Sequence, residues 1–187
     1  MLPRLFGNNN AHPLFNGTIE QNGCGKLNDI TSSVLRRIKG LGVTHIWYTG
    51  LLEHATCTDY SRYGIRKDHS AMVKGRAGSP YAIKDYYDVD PDLASSPEKR
   101  LDEFQALLRR THTAGLGFIM DFVPNHVARQ YHSDKKPEGT VDLGADDNCE
   151  QAFSPFNNFY YIPGHPLRCQ FDMKADEIFP YQENPAK

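Results

Sequence analysis

The sequence predicts an α/β fold with parallel strands, and three observations carry that expectation. Segments of strand and helix character alternate along the chain: strand, helix, strand, long loop, helix, strand. The two helical segments have capping residues at their starts and glycines at their ends. Both long irregular stretches follow strands, at the C-terminal ends where parallel α/β folds hold their ligand sites.

Taken in order, "LPRLF" (2–6) reads as a short strand closed by the turn-prone "GNNN". "ITSSVLRRIKGLG" (30–42) reads as a helix, because Val34, Leu35, Ile38 and Leu41 recur at helical spacing. Asp29 or Thr31 suits its start, and Gly40 or Gly42 its end. "VTHIWYTG" (43–50) is rich in β-branched and aromatic residues and reads as the second strand. A loop is expected from Leu51 to about Ser95. The clearest helix follows, with Ser95 and Glu98 resembling a capping box, Pro97 in the first turn and Gly115 at the stop. Leu101, Phe104 and Leu108, with Leu107 or His112, are its expected buried face. Residues 116–123 form the expected third strand, buried through Phe118, Ile119, Met120, Phe122 and Val123. No period appears over the sixty-odd residues after Asn125, and a loop that long in a compact domain is functional or a subdomain of its own.

Composition narrows the function classes. With 39% hydrophobic and 24% charged residues the chain is globular in character. A net charge of −2 gives no reason to expect nucleic acid or an anionic membrane as partner. No apolar run is long enough to span a bilayer, and "MLPRLFGNNN" lacks the apolar core of a signal peptide. Cys24, Cys57, Cys149 and Cys169 are scattered without a CxxC pair, which favours reduced thiols and a cytoplasmic setting. The histidines show no zinc spacing, and no Gly-rich phosphate loop or nucleophile elbow is present. His45 and His112 are expected at core or boundary positions.

Two stretches carry chemistry. In "DFVPNH" (121–126) an aspartate interrupts an apolar strand, Pro124 marks the strand's exit, and Asn125 and His126 follow at the mouth. The same spacing fits a plain strand-end turn with a satisfied core aspartate. In "GSPYAIKDYYDVDPDLA" (78–94), Tyr81, Tyr86 and Tyr87 alternate with Asp85, Asp88, Asp90 and Asp92. Aromatic faces beside acceptor groups bind sugars, although a polar loop packing its tyrosines on its own scaffold reads the same way. "DVDPDLA" lacks the glycine turn and terminal glutamate of an EF-hand loop.

Together, in this order, these stretches resemble the start of an α-amylase-type catalytic barrel, glycoside hydrolase family 13. "DFVPNH" is similar to the family's first conserved region at the exit of the third barrel strand. "YAIKDYYDVDP" resembles the stretch after the second strand, "GVTHIWYTG" that strand itself, and "LPRLFGN" the end of the first. The resemblance covers essentially the whole chain. It implies the N-terminal portion of a (β/α)8 TIM barrel, about three of its strands, spanning 1–126. A loop-rich domain B would begin after the third strand, at 127–187, and be incomplete. Tyr81 would stack on the sugar beside the cleaved bond, His126 would bond its hydroxyls, and Asp121 would organise the base of the site. Asn125 would be a ligand of a structural calcium, with Asp142, Asp146 and Asp147 as further candidates by charge alone.

The resemblance further implies a retaining hydrolase of α-1,4-glucans or maltooligosaccharides. A same-family transglycosylase or sugar isomerase, or a non-catalytic glycan-binding fragment, are the alternatives. Retention needs two carboxylates roughly 5 Å apart, one attacking and one protonating. The family carries both on later strands, and no segment of this chain matches them. The expectation is an inactive fragment with open sheet edges that favour aggregation. Oligomeric state is left open.

Overall fold

The structure, a computed structural model, describes residues 1–168 and 181–187. Among these residues the order is α1 (Ile19–Asn22), α2 (Ser32–Lys39), β1 (His45–Tyr48), β2 (Leu52–His54), β3 (Ile83–Val89), α3 (Arg100–Thr113), β4 (Gly117–Met120), β5 (Leu167–Arg168) and β6 (Gln182–Glu183). Cys169, one of the scattered cysteines, lies outside the described residues.

β1 and β4 pair in parallel, Ile46 with Phe118 and Tyr48 with Met120, as the alternation of strands and helices predicts. Side chains alternate across β1: Ile46 and Tyr48 are buried, His45 and Trp47 exposed. The buried face meets Leu35 of α2 and Leu107 of α3 in one core that also takes in Leu27, Ile30 and Leu116. Tyr48 stacks on Phe118 with ring centroids 4.4 Å apart, and its hydroxyl finds Thr111 Oγ1 at 2.9 Å. A buried phenol needs such a partner. Thr31 caps α2 by accepting the Val34 N–H, and Gly40 ends it.

The first and third predicted strands are corrected. Of the segment 2–6 none is strand; only its neighbour Met1 meets β1, donating to the Trp47 carbonyl at 2.6 Å and accepting from the Thr49 amide at 2.9 Å. From Leu2 the chain turns, with the Leu5 and Phe6 amides both bonded to the Leu2 carbonyl. Pro3 has no N–H to give a ladder. The strand expected over 116–123 stops at Met120, and only the Asp121 amide, 3.0 Å from the Tyr48 carbonyl, extends the ladder. Ile119 is 43% exposed and Phe122 60%. A two-stranded sheet covered on one face leaves the other open, so Trp47 and Ile119, register partners, both face outward. His45 and His112 are exposed too, outside the core.

The clearest helix forms, with its stripe turned by one residue. Arg100, Leu107 and Thr111 are its buried residues, while Leu101 is 37% exposed. Arg100 occupies the first inward place because it pairs with buried Asp88. The Ser95 and Glu98 capping box is replaced: Glu103 accepts the Ser95 and Ser96 amides, each at 2.9 Å.

The expected loop 51–95 hides an antiparallel pair, β2 with β3, irregular in register. Lys84, Asp85 and Asp88 of β3 are buried, whereas Tyr87 is exposed. This inverts the usual strand pattern, and the inversion concealed the strand from a reading by hydrophobic alternation.

Candidate functional site

The pairing of β4 ends at Asp121, and Pro124, Asn125 and His126 follow, all exposed. The chain then docks on β3: the Ala128 amide donates to the Ile83 carbonyl at 2.7 Å, and that of His132 to Lys84 at 3.0 Å. Tyr86 faces this docked segment. Its hydroxyl donates to the Val123 carbonyl at 2.5 Å, and its ring lies 5.4 Å from Phe122 and 5.8 Å from Tyr131. Burial raises the Tyr86 phenol above its usual pKa, so the hydroxyl stays a donor.

These elements enclose one side of a cleft of about 800 Å³. Phe159 and Tyr160 form part of the other side. Asp147 fixes that side, its carboxylate accepting the Asn158 amide at 2.7 Å and the Phe159 amide at 2.9 Å. Gly144 lets Phe159 sit close: it has φ +85°, and a Cβ there would meet the ring at 2.3 Å. Polar contacts to an occupant are offered by Asn125, His126, Asn158 and Lys187. Flat rings with a few donors and acceptors suit a polyhydroxylated ligand. Among the described residues no carboxylate lines the cleft.

Asn125 and His126 are therefore brought together here, their side chains 3.5 Å apart at closest polar approach. Asp121, half-buried, and Tyr81, 47% exposed, lie outside the lining, although Tyr81's neighbour Ala82 is part of it. Sequence reasoning missed Phe122 as a cleft residue by assigning it to the core. Asn158 and Lys187 carry no local signal; the fold alone recruits them.

An aromatic, amide-bearing cleft at the exit of a parallel strand is the equipment of a carbohydrate-active protein. The chain belongs to the α-amylase family of glycoside hydrolases: the family described as "Alpha amylase, catalytic domain" matches residues 1–161. Pullulanase A of Streptococcus pneumoniae is 30% identical over 95 residues, 49% of this chain and 8% of that protein. Maltase 1 of Drosophila virilis is 30% identical over 114 residues, 61% of this chain and 14% of that protein. Among solved structures, an alpha-amylase from Lactobacillus plantarum superposes with a TM-score of 0.41 at 26% identity, over 70% of this chain and 24% of that one. The chain thus spans less than a sixth of the length of these two curated relatives.

Asn125, the calcium ligand that the resemblance implies, is exposed and lines the cleft. Among the described residues no group of three or more carboxylate, histidine or cysteine side chains gathers around Asp142, Asp146 or Asp147. Asp142 instead accepts the Ser133 and Leu143 amides, Asp147 those of Asn158 and Phe159, and Asp146 is exposed. The carboxylates that do converge are elsewhere, beneath β3.

Proposed function

We propose that this chain is the glucan-holding part of an α-amylase-type retaining hydrolase acting on α-1,4-glucans or maltooligosaccharides. In this reading residues 1–126 belong to a (β/α)8 barrel and 127–187 begin a domain B. The observation that carries it is the cleft, which presents aromatic rings and amide and imidazole groups where the 116–123 segment ends. The names of two relatives, a pullulanase and a maltase, support an α-glucan as the ligand class.

His126 hydrogen-bonds sugar hydroxyls, and Asn125 beside it offers an amide that both donates and accepts. Tyr86 and Phe159 supply ring faces for the sugar's C–H surfaces. Tyr81, at the margin next to Ala82, stacks on the sugar beside the cleaved bond, and Asp121 orders the strand's end beneath it. In this reading the chain binds and orients. Among the described residues the cleft lining holds no aspartate or glutamate, whereas retention requires two.

The test is maltoheptaose added to the purified chain, with saturation-transfer NMR for contact and reducing-sugar release for cleavage. Contact without cleavage is the expected result. A folded chain showing no contact would remove the cleft as a glucan site, and cleavage would mean that a carboxylate pair exists within the chain.

A further inference from the structure

We propose that Glu53, Asp85, Asp88 and Asp134 form a binding site for a divalent cation with oxygen ligands, of the calcium type, beneath the cleft and separate from Asn125. One carboxylate oxygen from each lies within 4.8 Å of the others. Acidic clusters alone are common on proteins, and a second observation sets this one apart. Glu53 is only 1% exposed, and neither of its carboxylate oxygens has a hydrogen-bond partner. A buried, unbonded carboxylate is costly, and natural structures retain one where it has something to bind.

The neighbours do not already fill that role. Lys84 Nζ stands 3.9 Å from Glu53 Oε1, beyond hydrogen-bond reach, and sits closer to Asp68, at 3.0 Å. Arg100 is engaged by Asp88 and stands 3.5 Å from Asp134. Five carboxylates (Glu53, Asp68, Asp85, Asp88, Asp134) thus face two basic side chains, an excess of three negative charges. One divalent ion offsets most of it. The donors are all oxygens, which suits a hard cation such as calcium or magnesium and not zinc.

The site has a structural consequence. Glu53 comes from β2, Asp85 and Asp88 from β3, and Asp134 from the segment that has just passed the cleft. The Asp134 and Lys135 amides already donate to Asp85 Oδ2, at 3.0 and 3.2 Å. An ion here ties the cleft-forming segment 122–134 to the sheet beneath it.

The chain is stripped with EDTA, then titrated with terbium, read by tyrosine-sensitised luminescence, and with calcium and magnesium chloride, read by thermal melting. Saturable binding with a rise in melting temperature is expected for the wild type. Glu53→Gln and Asp134→Asn should each weaken binding at least tenfold, and the exposed control Asp102→Asn should not. Asp134→Asn alters a half-buried residue and keeps the test decisive if Glu53→Gln fails to fold. No metal-dependent signal in the wild type, or affinity unchanged in a folded variant of either ligand, would overturn the site. Neither readout involves glucan, so a failure here leaves the proposed function standing.

Discussion

One strand, β3, serves two regions of opposite character. Tyr86 turns toward the cleft, which is open, aromatic and free of carboxylates among the described residues. Its neighbour Asp85 turns into a buried cluster made of carboxylates, held by backbone amides, Lys84 and Arg100. The irregular register of β2 against β3 accompanies this division, since Asp85 and Asp88, three residues apart, share the cluster. The difference teaches where each region's energy lies. The cleft presents unspent hydrogen-bonding groups and ring faces, so its changes should register in binding. The cluster is buried beneath the strand, so its changes should register in stability.

The largest effect expected is on the closed side. Asp88→Ala strands the buried Arg100 guanidinium and should cost about 3–5 kcal/mol in urea denaturation, with metal absent. A loss below a quarter of that would mean the pair is solvated, and the contrast between the regions would fail.

Next is the pH response of a second buried polar set, where His54 Nδ1 lies 3.0 Å from Asp90. Burial and the adjacent Arg4 guanidinium lower the His54 pKa to about 4. The unfolded histidine titrates near 6.5, so between about 6.5 and 4 the unfolded chain binds the extra proton. His54 therefore stabilises fully above pH 6.5 and loses that contribution as pH falls toward 4. Wild-type stability relative to His54→Asn should decline across this window; an unchanged difference would place His54 in contact with water.

Tyr86→Ala sits on the border between the regions and should act in both assays. Loss of its bond to Val123 should cost about 1–3 kcal/mol of stability, and maltoheptaose affinity should fall. Tyr81→Ala, at an exposed residue, should weaken binding with no change in the melt. If both variants behave alike, the cleft does not distinguish a wall from a margin.

His126→Ala gives the smallest effect on stability and the cleanest on binding. One lost hydrogen bond of about 1.4 kcal/mol corresponds to roughly tenfold weaker binding. The melting temperature should not move, because His126 is exposed.

The contrast also explains what was legible in the sequence. α2 and β1 announce themselves because their buried residues are apolar, Leu35 in one and Ile46 and Tyr48 in the other. α3 and β4 are legible from their apolar composition, although α3 buries Arg100 and Thr111 beside Leu107 and β4 stays partly exposed. Asn125 and His126 are legible because polar residues follow an apolar strand at a proline. β2 and β3 are not, because Glu53, Lys84, Asp85 and Asp88 occupy inward positions where a pattern reading expects aliphatic side chains. Their burial depends on partners distant in sequence, Arg100 and Asp134, which local periodicity does not reveal. Leu2 to Phe6 misled for the opposite reason: an apolar composition with no ladder to join. Phe122 reads as core, yet it is 60% exposed and its ring meets Tyr86 at the cleft.

The most direct measurement is isothermal titration of maltoheptaose into the purified chain and into His126→Ala, with reducing ends assayed afterwards. The account predicts saturable binding by the chain, roughly tenfold weaker in the variant, and no new reducing ends in either. Equal affinity in the two proteins, or release of reducing ends by the chain, would contradict it.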